Sequence, residues 1–163
     1  MINVPDSVNV QLSDQTLKVK GPSGEVVLTL SKLVKVNVNG KHIEITSNDR
    51  ALTNSTESLI SSACKGAKEG YKRSFKVIYA HFPISFEVKG KDITIKNFLG
   101  EKQARKAKLV GSTKFEAKGQ AVTVSGPDKY AVGQTIANLR SAMRIKDKDG
   151  RIFQDGLYDA ASE

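Results

Sequence analysis

The sequence has little of what secreted and membrane proteins need. It has one cysteine, Cys64, so no intramolecular disulfide can form and a reducing compartment is expected. No apolar run approaches the roughly 20 residues that cross a bilayer. The N-terminus lacks the basic-then-apolar pattern of a secretory signal. The 163 residues therefore predict a soluble intracellular protein, about one domain by length.

Residues for metal binding and catalysis are also scarce. Two histidines, His42 and His81, and one cysteine cannot supply the clustered ligands of a structural zinc site. We expect both histidines at surface or packing positions and Cys64 as a small core residue. No nucleophile, base and orienting group stand in a recognisable set. The sequence therefore predicts a protein that is not an enzyme and that needs no cofactor or metal.

Two glycine-containing segments match known ligand loops only in part. Residues 147–151 read Asp-Lys-Asp-Gly-Arg, and Arg151 stands where a calcium loop needs an oxygen ligand. Residues 20–24 read Lys-Gly-Pro-Ser-Gly, without the closing Gly-Lys-Ser/Thr of a phosphate-binding loop, and lead into a strand pattern. Both segments are better explained as turns.

Positive charge is what the sequence has in excess. Lys and Arg number 26 against 17 Asp and Glu, giving a formal net charge of +9. That excess predicts attraction to nucleic acid or another anionic surface. Aromatic residues make up 6% of the chain and Trp is absent, which disfavours an open single-strand platform built from several exposed rings.

The chain contains an internal repeat. Apolar positions of the first half recur 76 residues later, and after a three-residue insertion they recur 79 residues later. The pairs are Val8–Ile84, Val10–Phe86, Leu12–Val88, Leu17–Ile93, Val19–Ile95, Ile43–Val122, Ile45–Val124, Ile60–Leu139 and Ala63–Ala142. So many coincidences at two nearly equal spacings indicate a tandem duplication.

Each copy is predicted to contain a hairpin, one or two further strands and one helix. The first helix is expected after its candidate caps Asn48 and Asp49, with Leu59 among its apolar residues, and the second after Pro127. The predicted class is α+β: two similar domains, residues 1–82 and 83–163, each a small, mostly antiparallel sheet packed with one main helix. The apolar segment 71–83 is predicted to be a strand completing the first copy's sheet.

The two copies differ in one informative place. At an offset of 76, the apolar stretch 25–30 of the first copy corresponds to the cationic stretch 101–106 of the second. Each apolar side chain that is not buried forgoes about 1.5–3 kcal/mol, so we expect these cations to bind a ligand. The alternative is a solvated edge strand whose lysines prevent edge pairing. The strand cations are Lys102, Arg105, Lys106 and Lys108.

A second group of cations lies where the second helix ends: Arg140, Arg144, Lys146, Lys148 and Arg151. Aromatic residues follow, with a predicted Asp155–Gly156 turn and with Tyr158 expected to pack on the core. Cations held beside aromatic side chains suit a polyanion such as RNA. The alternative is a solvated helix end followed by an apolar plug. Gly100 and Gly156 are expected to permit close approach or an unusual φ.

Three features together resemble the L-six family of large-subunit ribosomal proteins. They are the duplication, the segment Asn-Phe-Leu-Gly-Glu-Lys at 97–102, and the C-terminal pattern Arg-x-Phe-x-Asp-Gly-Leu-Tyr at 151–158. The resemblance covers essentially the whole chain and fits the archaeal and eukaryotic branch, whose eukaryotic member is called L-nine. The chain departs from the family in one respect, because residues 159–163 lack the basic residue that usually follows the final Tyr.

The resemblance implies a structural, non-catalytic component of the cytoplasmic ribosome. It implies binding to large-subunit ribosomal RNA near the stalk base, close to the sarcin–ricin loop and the GTPase-factor site, mainly through the second copy. Neighbouring ribosomal proteins are implied as partners; a membrane or small-molecule substrate is not. The alternatives are a free RNA-binding, translation-associated regulator that is not integral to the ribosome, and an adaptor protein whose basic charge is incidental.

Overall fold

The structure, a computed structural model, describes residues 2–5, 7–39 and 42–160, so the last three tail positions lie outside the described residues. It divides the chain into two compact units: residues 1–71 with 126–129, and residues 72–125 with 130–163. Within the described ranges, no helix is long and apolar enough to cross a membrane.

The first unit contains two small antiparallel sheets and one main helix. Its elements are β1 Ile2–Asn3, β2 Asn9–Ser13, β3 Thr16–Gly21, β4 Gly24–Thr29, β5 Val34–Asn39, β6 His42–Ser47 and α1 Arg50–Glu69. The strand orders are β2-β3-β4 and β1-β6-β5. A buried cluster of Val, Leu, Ile and Ala side chains forms the core of this unit.

Helix α1 begins where the sequence predicts it. The Asp49 carboxylate accepts a hydrogen bond from the Ala51 N–H at 2.8 Å, which satisfies a backbone donor of the first turn. Ile60 and Cys64 are buried, whereas Leu59, predicted among the apolar helix residues, is 56% exposed. The helical spacing therefore identified the helix correctly but included one residue from its outer face.

The glycines of the segment 20–24 are explained by packing. The Ser23 N–H donates to the Ala67 carbonyl at 2.9 Å, so the turn sits directly on the last turn of α1. A Cβ at Gly21 would collide with that same carbonyl. A Cβ at Gly66 would collide with the Pro127 carbonyl, which shows how closely the segment 126–129 packs within the first unit.

The second unit repeats this architecture. Its elements are β7 Tyr71–Ile78, β8 Ser85–Lys89, β9 Asp92–Lys96, a 3-10 turn Phe98–Gly100, β10 Arg105–Lys108, β11 Lys114–Lys118, β12 Ala121–Gly126, α2 Lys129–Ala142 and β13 Gly156–Asp159. One sheet has the order β10-β9-β8 and the other β11-β12-β7-β13. The predicted α+β duplication is thereby confirmed.

Burial at equivalent positions supports the duplication. Leu17 and its counterpart Ile93 are both fully buried. Ile60 of α1 and Leu139 of α2 are 0% and 1% exposed. Corresponding apolar residues therefore fill the space between sheet and helix in both units.

Strand β7 exists as predicted, but the prediction of its sheet is wrong. It lies between β12 and β13 in the second unit's four-stranded sheet, and Gly156 pairs with Ile78. The inward Phe75 and Val77 are 2% and 1% exposed, burial that a central strand provides. Because Gly156 begins β13, the predicted Asp155–Gly156 turn is also wrong. The units divide after Tyr71, whereas the predicted copies divide after residue 82.

The three-residue insertion lies earlier than the sequence alignment placed it. The β3–β4 pairs include Leu17 with Leu28 and Val19 with Val26, and the β9–β10 pairs include Ile93 with Ala107 and Ile95 with Arg105. The offset at β10 is therefore already 79. Lys106 replaces Val27, which is itself 55% exposed, whereas Arg105 replaces the buried Val26. The predicted loss of a whole run of buried apolar residues is wrong, because Arg105 replaces a buried apolar residue whereas the other inward residue, Ala107, is still apolar and buried.

Candidate RNA-binding surface

Strand β10 exposes lysines on one side. Its inward residues are Arg105, which is half-buried, and Ala107, which is buried, whereas Lys106 and Lys108 are exposed. Lys102, in the loop before the strand, is exposed as well. None of these three ammonium groups makes a hydrogen bond or ion pair with another described residue, so all three are available to an anionic ligand.

Arg105 is the exception among the strand cations, because its guanidinium is used inside the protein. Nε and Nη2 donate to the two oxygens of Glu101 at 2.8 and 2.5 Å. Nη1 donates to the carbonyls of Ala142 at 3.0 Å and Arg144 at 2.8 Å. The guanidinium also lies 4.4 Å from the centroid of the Phe98 ring. Arg105 is therefore a clamp between β10 and the end of α2.

The clamp joins the two cation groups that the sequence predicts. It ties β10, which carries Lys106 and Lys108, to the chain that leaves α2. Arg144 and Lys146 lie in that chain, and both are exposed. Neither side chain is paired with another described residue. Arg105 thus ties together two segments that carry five unpaired cations: Lys102, Lys106, Lys108, Arg144 and Lys146.

The Glu101 carboxylate of the clamp has a shifted pKa. The bidentate contact with Arg105 holds the pKa of Glu101 below its usual range, and the positive charge of Lys148 lowers it further. The same pairing raises the pKa of Arg105.

The remaining predicted cations are each held by a group of the protein. Arg140 pairs with Asp159 at 2.8 Å and lies 5.4 Å from the Phe75 ring centroid. The Lys148 ammonium lies 4.6 Å from the Phe153 ring centroid. These contacts fix the side chains in direction while leaving them exposed.

Arg151 is held in place by Asp149. The carboxylate accepts the Arg151 backbone N–H and its Nη2, both at 2.9 Å. This pairing lowers the pKa of Asp149. The Arg151 side chain is still 91% exposed, so its outer donors face solvent.

The segment 97–102 forms a tight turn with left-handed backbone. Asn97, Leu99 and Gly100 have φ of 60°, 52° and 73°. A Cβ at Gly100 would lie 3.1 Å from the Phe82 ring, so Gly100 has an unusual φ and also lies close to a side chain of the protein. The turn buries Phe98 and leads directly to Glu101, the carboxylate of the clamp.

The C-terminal tail differs from expectation. Gly156 has no positive φ and sits in β13. Asp155 is buried and accepts the Ala80 N–H at 3.3 Å. The Tyr158 ring, expected on the core, is 45% exposed, and its hydroxyl donates to the Gln154 carbonyl at 2.9 Å. In an antiparallel strand the inward positions alternate, and Leu157 takes the inward one.

Sequence reasoning missed Glu101 and Phe98 as partners of Arg105. The four-residue spacing of Glu101 and Arg105 was a signal, although the intervening chain is not helical. Across the described ranges, no group of three or more His, Cys, Asp or Glu side chains is placed to hold a metal ion. What the arrangement offers is a set of directed and unpaired cations.

Comparison with known proteins gives a consistent result. The family model described as "Ribosomal protein L6" matches residues 4–70 and 82–156. A "Large ribosomal subunit protein uL6" from Methanocella arvoryzae is 42% identical over 165 residues, covering 96% of this chain and 93% of the relative. Relatives of the same name from Methanobrevibacter smithii and Haloarcula marismortui are 37% and 39% identical, with 99% and 96% of this chain and 94% and 92% of the relatives covered.

Proposed function

The chain belongs to the ribosomal protein L6 family, and from this membership we propose that it binds large-subunit ribosomal RNA through the basic surface of its second copy, residues 83–163. It is a structural protein of the large ribosomal subunit, cytoplasmic as part of the ribosome, and it is not an enzyme. The similarity to archaeal relatives fits the predicted branch of the family.

The observation that carries the proposal is the set of five unpaired cations on two joined elements. A-form RNA hides its base edges in a deep, narrow groove, so a protein reaches mainly phosphates and 2′-hydroxyls. Lysines and arginines that lack an internal partner can pair with phosphates without first breaking a protein contact. We assign this role to Lys102, Lys106, Lys108, Arg144 and Lys146. Arg140, Lys148 and Arg151 are proposed as outer contacts, held in direction by their protein partners.

The finer location is proposed from the family resemblance. We place the RNA contact near the stalk base, close to the sarcin–ricin loop and the GTPase-factor site, with ribosomal proteins as neighbours. Hydroxyl-radical footprinting of large subunits with and without this chain tests that location. Protection confined to a distant RNA region would contradict it, whatever the affinity.

The proposed surface is tested by the salt dependence of binding. The full chain should bind large-subunit RNA with log affinity falling linearly against log salt. Lys106→Ala should reduce the slope by about 1. Lys35→Ala, at an exposed position of β5 in the first unit, is the matched control and should leave the slope unchanged. Equal slopes for both variants and the wild type would rule out Lys106 as a phosphate contact.

Sedimentation separates the alternatives. An integral subunit protein stays on the large subunit through a high-salt wash. A free translation-associated regulator is released by the wash, and an adaptor with incidental basic charge does not co-sediment in the first place.

A further inference from the structure

The four-stranded sheet of the second unit has an outer face with a composition unlike its inner one. Inward side chains such as Phe75, Val77 and Val124 are buried, and Arg140 of α2 lies over the Phe75 ring, so the helix covers the inner face. Alternation along the strands places the other residues outward. The outward residues are Lys72, Ser74, Lys76 and Ile78 on β7, Tyr158 on β13, Ala121, Thr123 and Ser125 on β12, and Lys114, Glu116 and Lys118 on β11.

Tyr158 lies flat on this face. Two residues earlier on the same side of β13, Gly156 has no side chain, and a Cβ built there would be 3.5 Å from the Tyr158 ring. The hydroxyl donates to the Gln154 carbonyl at 2.9 Å, which holds the ring along the strand. With 45% of the residue exposed, the ring offers a flat apolar surface at a fixed position.

The sheet face is apolar next to the Tyr158 ring and cationic farther from it. Ile78, which pairs with Gly156, is 40% exposed beside the ring. Lys76 pairs directly with Tyr158 across the two strands. The face carries four lysines and one glutamate, hence 4 − 1 = +3, and none of these lysines is paired with another described residue. Strand β12 contributes only small uncharged side chains to this face.

We propose that this outer face binds single-stranded RNA, with one unpaired base stacked on Tyr158 and its phosphates paired with Lys76 and the neighbouring lysines. This inference rests on the proposed function and adds a second contact, on a different sheet from Lys106 and Lys108. A flat ring accepts the π-face of any unpaired base, whereas the bases of a duplex are already stacked. The cationic rim favours RNA over a protein partner, since the apolar area is limited to Tyr158 and Ile78.

The test uses the full chain and two probes, an oligouridine of about twelve nucleotides, within the usual range of single-strand sites, and an A-form RNA duplex of similar length. Tyr158→Leu removes the ring, and Tyr158→Phe keeps it while removing the hydroxyl. Tyr130→Leu is the matched control, because Tyr130 is an exposed tyrosine of the same unit, on helix α2. Circular dichroism establishes that each variant is folded.

Tyr158→Leu should weaken oligouridine binding about fivefold or more, the lower end of the effect of losing one stacked base. Tyr158→Phe and Tyr130→Leu should bind as the wild type does, and duplex binding should be unchanged in all three. Because the chain has no Trp, tyrosine fluorescence gives a second readout: oligouridine should quench it in the wild type and much less in Tyr158→Phe. This readout decides the matter if Tyr158→Leu does not fold.

Oligouridine binding that is unchanged in Tyr158→Leu, or equal quenching in the wild type and Tyr158→Phe, would overturn the inference. An equal loss on both probes would also overturn it, since that would make Tyr158 a structural residue. The proposed function fails separately, if large-subunit RNA binding by the wild type is independent of salt and of Lys106.

Discussion

At the scale of single residues, the cations of the second unit fall into those that hold the protein together and those that face solvent unpaired. Arg105 belongs to the first kind, because its guanidinium donates hydrogen bonds to Glu101 and to two carbonyls at the end of α2. Lys106, the next residue, belongs to the second. Substituting Arg105 should therefore affect the stability of the protein, whereas substituting Lys106 should affect RNA binding.

Arg105→Lys keeps the charge but loses the planar fork that reaches three acceptor groups. We expect it to lower the free energy of unfolding by roughly 1–3 kcal/mol, the scale of hydrogen bonds to charged groups. Urea denaturation measures this loss. Lys106→Ala is the control and should leave stability within about 0.5 kcal/mol, as at an ordinary surface position. Unchanged stability in Arg105→Lys would show that the clamp contributes nothing.

The clamp also predicts a pH dependence. Arg105 lowers the pKa of Glu101 below its usual range, so the folded protein binds this proton less readily than the unfolded chain does. The stabilisation is therefore present above the unfolded pKa and is lost as pH falls through the folded pKa. NMR titration should show Glu101 titrating below an ordinary glutamate, and Arg105→Gln should move its pKa upwards. A Glu101 pKa that is the same in both proteins would contradict the pairing.

The candidate site could be predicted in part at this scale. The sequence identified the cations, because charge excess is visible in composition and in spacing. It could not show which cations have internal partners, since Asp159 reaches Arg140 across 19 residues and Arg105 reaches Ala142 across 37. Only the fold decides which charges remain for a ligand.

At the scale of elements, the left-handed turn at 97–100 allows a matched pair of substitutions. Gly90 and Gly100 have φ of 62° and 73°, but only Gly100 has a side chain, Phe82, where a Cβ would go. Gly90→Ala should cost roughly 1–2 kcal/mol, the backbone strain alone. Gly100→Ala should cost more, because the Phe82 ring must also shift. Thermal unfolding of both variants tests this, and equal losses would mean that the ring moves freely.

The elements themselves were largely predictable, and their partners were not. Alternating apolar residues and the Asp49 cap are local signals, and they correctly gave the β2–β3 hairpin and the start of α1. The segment 71–78 was equally clear as a strand. Its period of two shows which face is buried, but not which neighbours supply the hydrogen bonds. Its sheet was therefore assigned wrongly, and the turn predicted at Gly156 failed for the same reason.

At the scale of the whole molecule, the place of β7 determines which fragments can fold. A fragment of residues 83–163 lacks this strand, which lies between β12 and β13. Without it, the backbone groups and apolar side chains of both neighbours lose their partners. We expect residues 72–163 to unfold cooperatively and residues 83–163 to show no cooperative transition. Thermal circular dichroism compares the two, and similar transitions would show that β7 is dispensable.

The assignment of residues 126–129 to the first unit has a consequence in time. Residue 126 is synthesised 126 − 71 = 55 residues after the rest of that unit ends, which takes roughly 3 to 11 seconds at ordinary rates of translation. During that interval Gly24 and Gly66 lack Pro127, the residue against which their bare backbone packs. The first unit is therefore begun first but stays incomplete until most of the second unit has been synthesised.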